Sequence, residues 1–251
     1  MRSIRRRMKP ETFERTVPFR PGWKREYYDG KVHLRPSWVT IDYTLKLTHR
    51  PERPTQGLRA CERSDRDRLI DAFIDSFCYA PEYACDSMKS YRRKAAEYVD
   101  GYFGSVRGER SPCSTVLEME GQIVAAALVK LRPTLPPLLD CLFVRPACFR
   151  RGYATSVAAR AVNRLVVHGQ PILRSGAMLA NEASIAWHRS FGFLERPEYF
   201  VAQSRYYCAI NERERLKKYN LATPEQLAEW SAKIASLKDT FDRVSEMPAA
   251  L

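Results

Sequence analysis

The chain has 251 residues, 45% of them hydrophobic, which is enough to bury one substantial core beside a small second module. Its longest apolar run, 123–129, is too short to cross a bilayer, and the basic start has no apolar segment after it, so we expect neither membrane insertion nor secretion. The formal net charge of +13 is uneven, because the first 50 residues hold 13 basic and 5 acidic side chains.

The cysteines and histidines show no pattern of disulfides or metal ligands. The seven cysteines are odd in number, form no CxxC pair and are scattered along the chain. We therefore expect reduced thiols and a cytoplasmic location. The four histidines lie far apart without a cysteine or carboxylate at ligand spacing, so no metal site is expected.

The first 55 residues predict a small, basic, β-rich extension. Within WKREYYDGKVHLRPSW, the pair Asp29-Gly30 separates two short alternating segments, which is typical of a β-hairpin. Val39 to Leu47 predicts a further strand. The following HRPERPTQG is interrupted by prolines and a glycine and is interpreted as a linker.

Residues 56–212 predict a second segment, an α/β domain, and 213–251 a third, helical one. Leu58 opens a short strand, and Ser64 or Asp65 caps an amphipathic helix that runs to Phe77. The helix at the C-terminal end carries an apolar stripe that requires burial, against the sheet or in a homodimer. The other predicted elements are a helix at Tyr91–Phe103, strands at Ser114–Glu120, Ile123–Leu131 and Leu138–Val144, a helix at Ala154–Val167, a strand at Ile172–Met178, a helix at Ser184–Phe191, a strand at Tyr199–Ile210 and a helix at Thr223–Met247.

The junction FRRGYA, residues 149–154, has the composition of a phosphate-binding loop. It lies between the strand at 138–144 and the next helix. The first N–H groups of a helix have no intrahelical acceptor and lie at the positive end of its dipole, so they attract anions. Gly152 lets the backbone turn and approach a ligand, and Arg150 and Arg151 add charge. An ordinary surface cap also accounts for these residues, so the loop alone does not decide.

A second signature makes the pattern specific. This signature starts at Asn181, 29 residues after Gly152. Gly192 and Phe193 follow Asn181 by eleven and twelve residues. A strand ending in Val-x-Pro, a basic Gly-x-Ala loop, a long helix, a strand and this Asn…Gly-Phe spacing resemble the GCN5-related N-acetyltransferase (GNAT) superfamily. The resemblance covers roughly Leu58 to Asn211. It implies an α/β (α+β) fold whose mixed central sheet has splayed strands and flanking helices.

The resemblance also implies acetyl-CoA as cofactor. In the family the pantetheine lies in the gap beside the splayed strand, and the diphosphate lies on the loop that opens the following helix. Phe149 departs from the family's usual first loop position, where Gln or Arg is found. The implied cofactor-binding residues are Leu142, Phe143, Val144, Arg150, Arg151, Gly152, Tyr153, Ala154, Thr155, Asn181 and Ser184.

Two residues are candidates for the chemistry. His188 occupies the position, seven residues after Asn181, where the family often has a proton-donating tyrosine, and an imidazole suits proton transfer near neutral pH. It is equally interpreted as a packing residue beside Trp187. Asp140 shares a strand face with Leu142 by alternation and is a candidate base for the acceptor amine, or else a partner of a nearby arginine.

The sequence therefore predicts an N-acetyltransferase that moves an acetyl group from acetyl-CoA directly to a primary amine, on a small molecule or a protein. One alternative is a non-catalytic acyl-CoA-binding module. Another is recruitment to RNA or the ribosome through the basic N-terminus, where aromatic side chains lie among Lys and Arg; nucleic acid is the less favoured partner, because the same aromatics also suit a small core. These aromatic residues are Trp23, Tyr27, Tyr28 and Trp38.

Overall fold

The computed structural model describes residues 6–104 and 108–246, which form two compact units. Within these residues, the first unit comprises the chain up to Asp42, Ala177–Ile185 and the chain from Glu195 onward. The second comprises Tyr43–Gly176 and Ala186–Leu194. These units do not follow the boundaries at 55/56 and 212/213, so the division into three segments stays a prediction.

The secondary structure alternates strands and helices. The strands are β1 (Arg6–Arg7), β2 (Trp23–Tyr28), β3 (Lys31–Pro36), β4 (Thr40–Lys46), β5 (Leu58–Ala60), β6 (Glu109–Arg110), β7 (Thr115–Met119), β8 (Gln122–Arg132), β9 (Leu135–Val144), β10 (Ile172–Met178) and β11 (Leu194–Glu195). The helices are α1 (Pro10–Thr16), α2 (Arg66–Phe77), α3 (Met88–Phe103), α4 (Tyr153–Val167), α5 (Glu182–Phe191), α6 (Tyr199–Lys218) and α7 (Pro224–Ser245).

Two sheets organise these strands. A three-stranded sheet has the order β1-β3-β2, and a mixed sheet has the order β11-β4-β10-β9-β8-β7-β5, with β6 pairing to β8. The strands of the mixed sheet include parallel and antiparallel neighbours, and helices α2, α3 and α4 pack against them. This architecture confirms the predicted fold class.

In the first unit, the hairpin is confirmed by the antiparallel pairing of β2 with β3. Asp29 and Gly30 both have positive φ, 52° and 65°, as a two-residue turn of this kind requires. The Arg25 guanidinium lies 4.6 Å from the centroid of the Phe13 ring and 3.9 Å from that of Phe19. Residues 1–5 of the basic arm lie outside the described residues.

The strand predicted at 199–210 is wrong, because this segment begins the long helix α6. The Glu198 side chain accepts a hydrogen bond from the N–H of Val201 at 2.9 Å and caps the helix. The buried positions Val201, Ala202 and Ala209 lie on one helical face. The aromatic and β-branched residues of this segment favoured a strand and concealed its helical pattern of buried positions.

Helix α7 is confirmed, and its apolar stripe packs on α6 within the same unit. The Phe241 ring stacks on Tyr206 with centroids 5.6 Å apart and lies 5.4 Å from Tyr199. A capping box between Thr223 and Gln226 fixes the start of α7. The stripe thus has a partner on its own chain.

In the second unit, the core lies between β7, β8, β9 and helices α2 and α3. Residues 123–130 of β8 are all buried, which indicates that both faces of this strand are covered. Phe73 of α2 is 2% exposed and contacts the rings of Tyr83, Tyr98 and Phe143. The core therefore joins α2 and α3 to β9.

A buried lysine ties β8 to the end of α3. Lys130 is fully buried, and its ammonium donates hydrogen bonds to the carbonyls of Gly101, Gly104 and Gly108 at 2.7, 2.7 and 2.9 Å. It also lies 5.6 Å from the Tyr102 ring centroid. A buried charge requires such partners because desolvation is costly.

The carboxylate of Asp65 makes the stability of this unit depend on pH. Burial alone would raise its pKa, but hydrogen bonds from the Arg59 guanidinium and the Glu62 backbone N–H hold the pKa below its usual value of 3.8. A depressed folded-state pKa contributes stability above the unfolded pKa, and this stability is lost as the pH falls through the folded pKa.

We therefore expect Asp65→Asn to flatten the decrease in the free energy of unfolding below about pH 4, measured by urea unfolding across an acid series. Asp67→Asn is the matched control, because the Asp67 side chain is 87% exposed and only pairs with its neighbour Arg66. Equal acid sensitivity of wild type and Asp65→Asn would contradict the assignment.

Candidate functional site

The central feature of the second unit is a fork between β9 and β10. These parallel strands pair only through Arg174 with Leu138 and Ser175 with Leu139. Among the described residues no further rung joins β9 to β10 after Leu139, although β9 continues to Val144. The backbone of Leu142 to Val144 is therefore left without a β10 partner, as the splayed strands of the predicted fold require.

A β-bulge lies at the vertex of the fork. On β8, Leu128 pairs with Cys141 and the next residue, Val129, pairs with Leu139, so Asp140 is the extra residue of β9. A bulge bends its strand and increases the local twist, which explains why the two strands diverge at this point.

The bulge residue keeps the predicted alternation of the strand. Asp140, Leu142 and Val144 are half-buried, whereas Cys141 and Phe143 between them are buried. The hydroxyl of Tyr98 from α3 donates to the Asp140 carbonyl at 2.8 Å, a contact that the sequence did not indicate.

Two cysteines lie near this region, one buried and one half-buried. Burial, and after it the charge of Asp140, holds the pKa of the Cys141 thiol well above its usual value. Cys141 is therefore a neutral thiol rather than a nucleophile. Cys148 is half-buried in the turn before the loop.

The loop before α4 has the backbone expected of an anion site. Arg150 and Gly152 both lie in the left-handed region, with φ of 61° and 80°, and Gly152 is the N-cap residue. The first intrahelical bond runs from Ser156 N to Gly152 O at 3.0 Å. The N–H groups of Tyr153, Ala154 and Thr155 thus precede the helical ladder and have no intrahelical acceptor. Phe149, the residue that departs from the family's usual first loop position, has a side chain that is 55% exposed.

The segment interpreted as a linker is instead held along α4. Arg50 and Asn163 exchange two hydrogen bonds, from Arg50 N at 2.7 Å and to Arg50 O at 2.9 Å, and Asn163 also donates to Glu52. This contact brings Arg53 to the loop, where its Nη1 lies 3.4 Å from the position of a Cβ added to Gly152. Sequence analysis missed Arg53, because an arginine in a proline-rich stretch carries no signal of its destination.

His188 is buried in an aromatic cage. It is 3% exposed, and its ring stacks on Tyr43 of β4 with centroids 4.5 Å apart and 13° between the planes. Phe193 and Trp187 present edges at 5.1 and 5.0 Å. Both interpretations of His188 therefore remain open on packing alone, and its polar partner decides what it can do.

That partner is Ser175, which sequence analysis did not single out. The Ser175 Oγ lies 2.9 Å from the Nε2 of His188 and donates to the Leu139 carbonyl at 3.3 Å. Ser175 and Leu139 are also the residues of the last backbone rung before the fork opens. The imidazole is thus connected to the vertex through a hydroxyl.

The remaining predicted cofactor residues lie in the first unit. The Asn181 Oδ1 accepts a hydrogen bond from the N–H of Ser184 at 3.1 Å, so this asparagine caps α5. The Asn181 carbonyl accepts from Ile185 N at 3.0 Å and continues the helix. Their roles toward a cofactor stay predictions.

The described residues contain neither a cluster of metal-ligating side chains nor a helix suited to span a membrane. No group of three or more His, Cys, Asp or Glu side chains there has the arrangement of a metal site. None of the described helices combines the length and apolarity that crossing a membrane requires.

Solved structures of similar fold include several acetyltransferases. A GCN5-related N-acetyltransferase from Sphaerobacter thermophilus is 14% identical, with 62% of this chain and 48% of that one covered and a TM-score of 0.44. The PaiA N-acetyltransferase from Thermoplasma acidophilum, solved with coenzyme A, is 13% identical, with 56% and 91% covered and a TM-score of 0.44. The ribosomal-protein-S18-alanine N-acetyltransferase from Escherichia coli is 18% identical, with 55% and 77% covered and a TM-score of 0.42.

The present chain spans about half of the length of the Sphaerobacter protein. No curated protein matches the chain. The family comparison is more specific, because a model of the acetyltransferase (GNAT) family matches residues 71–193, which include the fork, the loop and His188. Residues 71–193 of this chain therefore form a domain of the GNAT acetyltransferase family.

Proposed function

We propose that this protein is an N-acetyltransferase that uses acetyl-CoA and transfers the acetyl group directly to a primary amine of a small molecule or a protein. The observation that carries the proposal is the fork at Leu139 directly before the left-handed loop at Arg150–Gly152 on the same strand–helix unit. An unpaired strand edge and an anion cradle together suit a ligand with a long amide-containing arm and a diphosphate.

The residues present fit acetyl-CoA. The backbone of Leu142, Phe143 and Val144 offers hydrogen-bonding groups along the open side of β9, and the N–H groups of Tyr153, Ala154 and Thr155 face outward from the start of α4. When bound, acetyl-CoA supplies an acetyl group activated as a thioester. Arg150, Arg151 and Gly152 complete the proposed diphosphate site on the loop.

Asp140 and His188 are the two side chains that we propose to assist the chemistry. The acceptor must attack as a neutral amine, so a base has to take its proton, and Asp140 at the bulge is the proposed base, acting directly or through water. A donor must stabilise the leaving thiolate, and His188 is the titratable side chain connected to the vertex.

The test is thiol release by the purified full chain with acetyl-CoA and a panel of primary amines, including peptides with free N-termini. We expect release of free thiol that depends on the amine. Binding of acetyl-CoA without turnover on any amine would favour the non-catalytic module. Absence of binding to the folded protein would contradict the proposal.

Arg53 is expected to strengthen phosphate binding from outside the region that the family model covers. Its guanidinium adds a third positive charge beside the start of α4, which is unfavourable there unless an anion lies between. We expect Arg53→Ala to raise the Kd for coenzyme A about 5-fold at low salt, with a smaller effect at high salt because the charge is exposed and screened.

Calorimetric titration at two ionic strengths measures this effect. Arg93→Ala is the matched control, because Arg93 is 67% exposed on α3 and pairs with Glu97. An unchanged Kd at low salt would remove Arg53 from the site. RNA binding through the N-terminal extension stays a prediction.

A further inference from the structure

A side-chain hydroxyl lies at the vertex of the fork, beside the last backbone rung. The last rung pairs Ser175 with Leu139, and the Ser175 Oγ donates to the Leu139 carbonyl at 3.3 Å. This distance lies beyond the usual 2.5–3.0 Å of hydroxyl-to-oxygen hydrogen bonds. The proton of this hydroxyl is therefore weakly held and can turn toward a better acceptor that enters the fork.

The oxygen of the same hydroxyl has a second partner. The Ser175 Oγ lies 2.9 Å from the His188 Nε2, and in the tautomer that carries its proton on Nε2 the imidazole donates to this oxygen while the hydroxyl donates to the Leu139 carbonyl. A hydroxyl that accepts one hydrogen bond donates a stronger one, since hydrogen bonds in a chain polarise one another.

The imidazole is fixed in this orientation by its surroundings. Tyr43 stacks on one face, Phe193 presents its ring edge, and the N–H of Phe193 donates to the His188 carbonyl at 2.9 Å. Ser175 is 5% exposed and His188 3%. At such burial the hydroxyl does not exchange freely with water, so its direction is set by the protein.

We propose that Ser175 is the residue that contacts the reacting sulfur and that His188 is a positioning residue acting through it. This inference rests on the proposed function. As the amine nitrogen bonds to the acetyl carbon and the C–S bond breaks, the sulfur keeps the bonding pair, and the Ser175 hydroxyl turns from the Leu139 carbonyl to donate a hydrogen bond to it. The proton lost by the amine goes to Asp140 or to solvent, and the thiolate takes a proton from solvent on release, so atoms and charge balance.

The proposal is tested on the complex of the full chain with coenzyme A, which requires no knowledge of the acceptor amine. The pKa of the bound thiol is measured from the ultraviolet absorbance of the thiolate during a pH titration, and the Kd is measured by calorimetry. A hydroxyl that donates to sulfur favours the charged form, so the thiol pKa in the wild-type complex is expected below that of free coenzyme A.

Four variants separate the roles. Ser175→Ala is expected to raise the bound thiol pKa by about one unit, a tenfold change in the protonation equilibrium. Ser175→Thr keeps the hydroxyl and restores most of the shift. His188→Leu raises the pKa as well, but adds nothing in the Ser175→Ala background. Ser111→Ala, which removes a buried hydroxyl bonded to Cys113 N, leaves the thiol pKa unchanged.

The outcomes separate the two proposals. Coenzyme A binding with the same thiol pKa in wild type and Ser175→Ala would overturn the role of Ser175 and leave the proposed function standing. A further increase for His188→Leu in the Ser175→Ala background would overturn action through the serine. Absence of coenzyme A binding to the folded wild type would overturn the proposed function and this inference together. Thermal unfolding of each variant identifies any that fails to fold, and Ser175→Thr then decides.

Discussion

Replacing Gly152 with glutamate is expected to weaken coenzyme A binding by about 100-fold or more, which corresponds to about 2.7 kcal/mol. The substitution places a carboxylate at the start of α4, where the diphosphate is proposed to lie, and a side chain beside Arg53. The new carboxylate competes for the same N–H groups and repels the ligand. Calorimetric titration of the wild type and the variant measures the effect.

Gly169→Glu is the matched control, because it imposes the same backbone strain without touching the site. Gly169 has φ of 72°, close to the 80° of Gly152, and it follows the other end of α4, with nothing within 4 Å of an added Cβ. Both substitutions therefore cost a similar amount of stability. Equal Kd values for Gly152→Glu and the wild type would show that phosphate does not lie on this loop.

Lys130→Met is expected to lower the free energy of unfolding by about 3 kcal/mol, because it removes the buried ammonium that donates to three carbonyl groups. The carbonyls of Gly101, Gly104 and Gly108 all accept from this ammonium, and they join the end of α3 to the residue before β6. Methionine matches the length of the side chain, so the change removes the donor with little loss of volume. Urea unfolding measures it.

Lys238→Met is the control for the loss of a lysine. Lys238 is 55% exposed on α7 and pairs at 2.6 Å with Asp242, which is 48% exposed. Exposed pairs contribute up to about 1 kcal/mol, so this variant should lose far less stability. Similar losses for both variants would mean that the buried hydrogen bonds of Lys130 do not stabilise the fold.

Much of the fold could be predicted because local patterns report local structure. The hairpin at Asp29-Gly30 follows from two residues that tolerate positive φ, and the alternation of Asp140 with Leu142 survives the bulge. The turn at Gly152 before α4 could be predicted from a glycine between a strand and a helix. What decided among its interpretations was the spacing to Asn181 and the family it resembles, not the loop itself.

The features that could not be predicted depend on distant parts of the chain. The contact of Ser175 with His188 joins a lone serine in a short strand to a residue in the following helix, and no spacing rule announces it. Arg53 reaches the loop only because Asn163 holds its segment along α4. The helix at 199–210 was mistaken for a strand, because aromatic and β-branched residues favour strands until tertiary packing decides otherwise.

The position of β4 in the mixed sheet has a consequence for how the chain reaches this structure. β4 neighbours β10, and Leu47 just after it donates its backbone N–H to Pro171, more than a hundred residues later. A pairing between residues so far apart in sequence forms late, because closing the long intervening segment costs conformational entropy. During synthesis β4 therefore leaves the ribosome long before its partner exists, and His188 gains the stacking surface of Tyr43 only when both ends of this long loop have met.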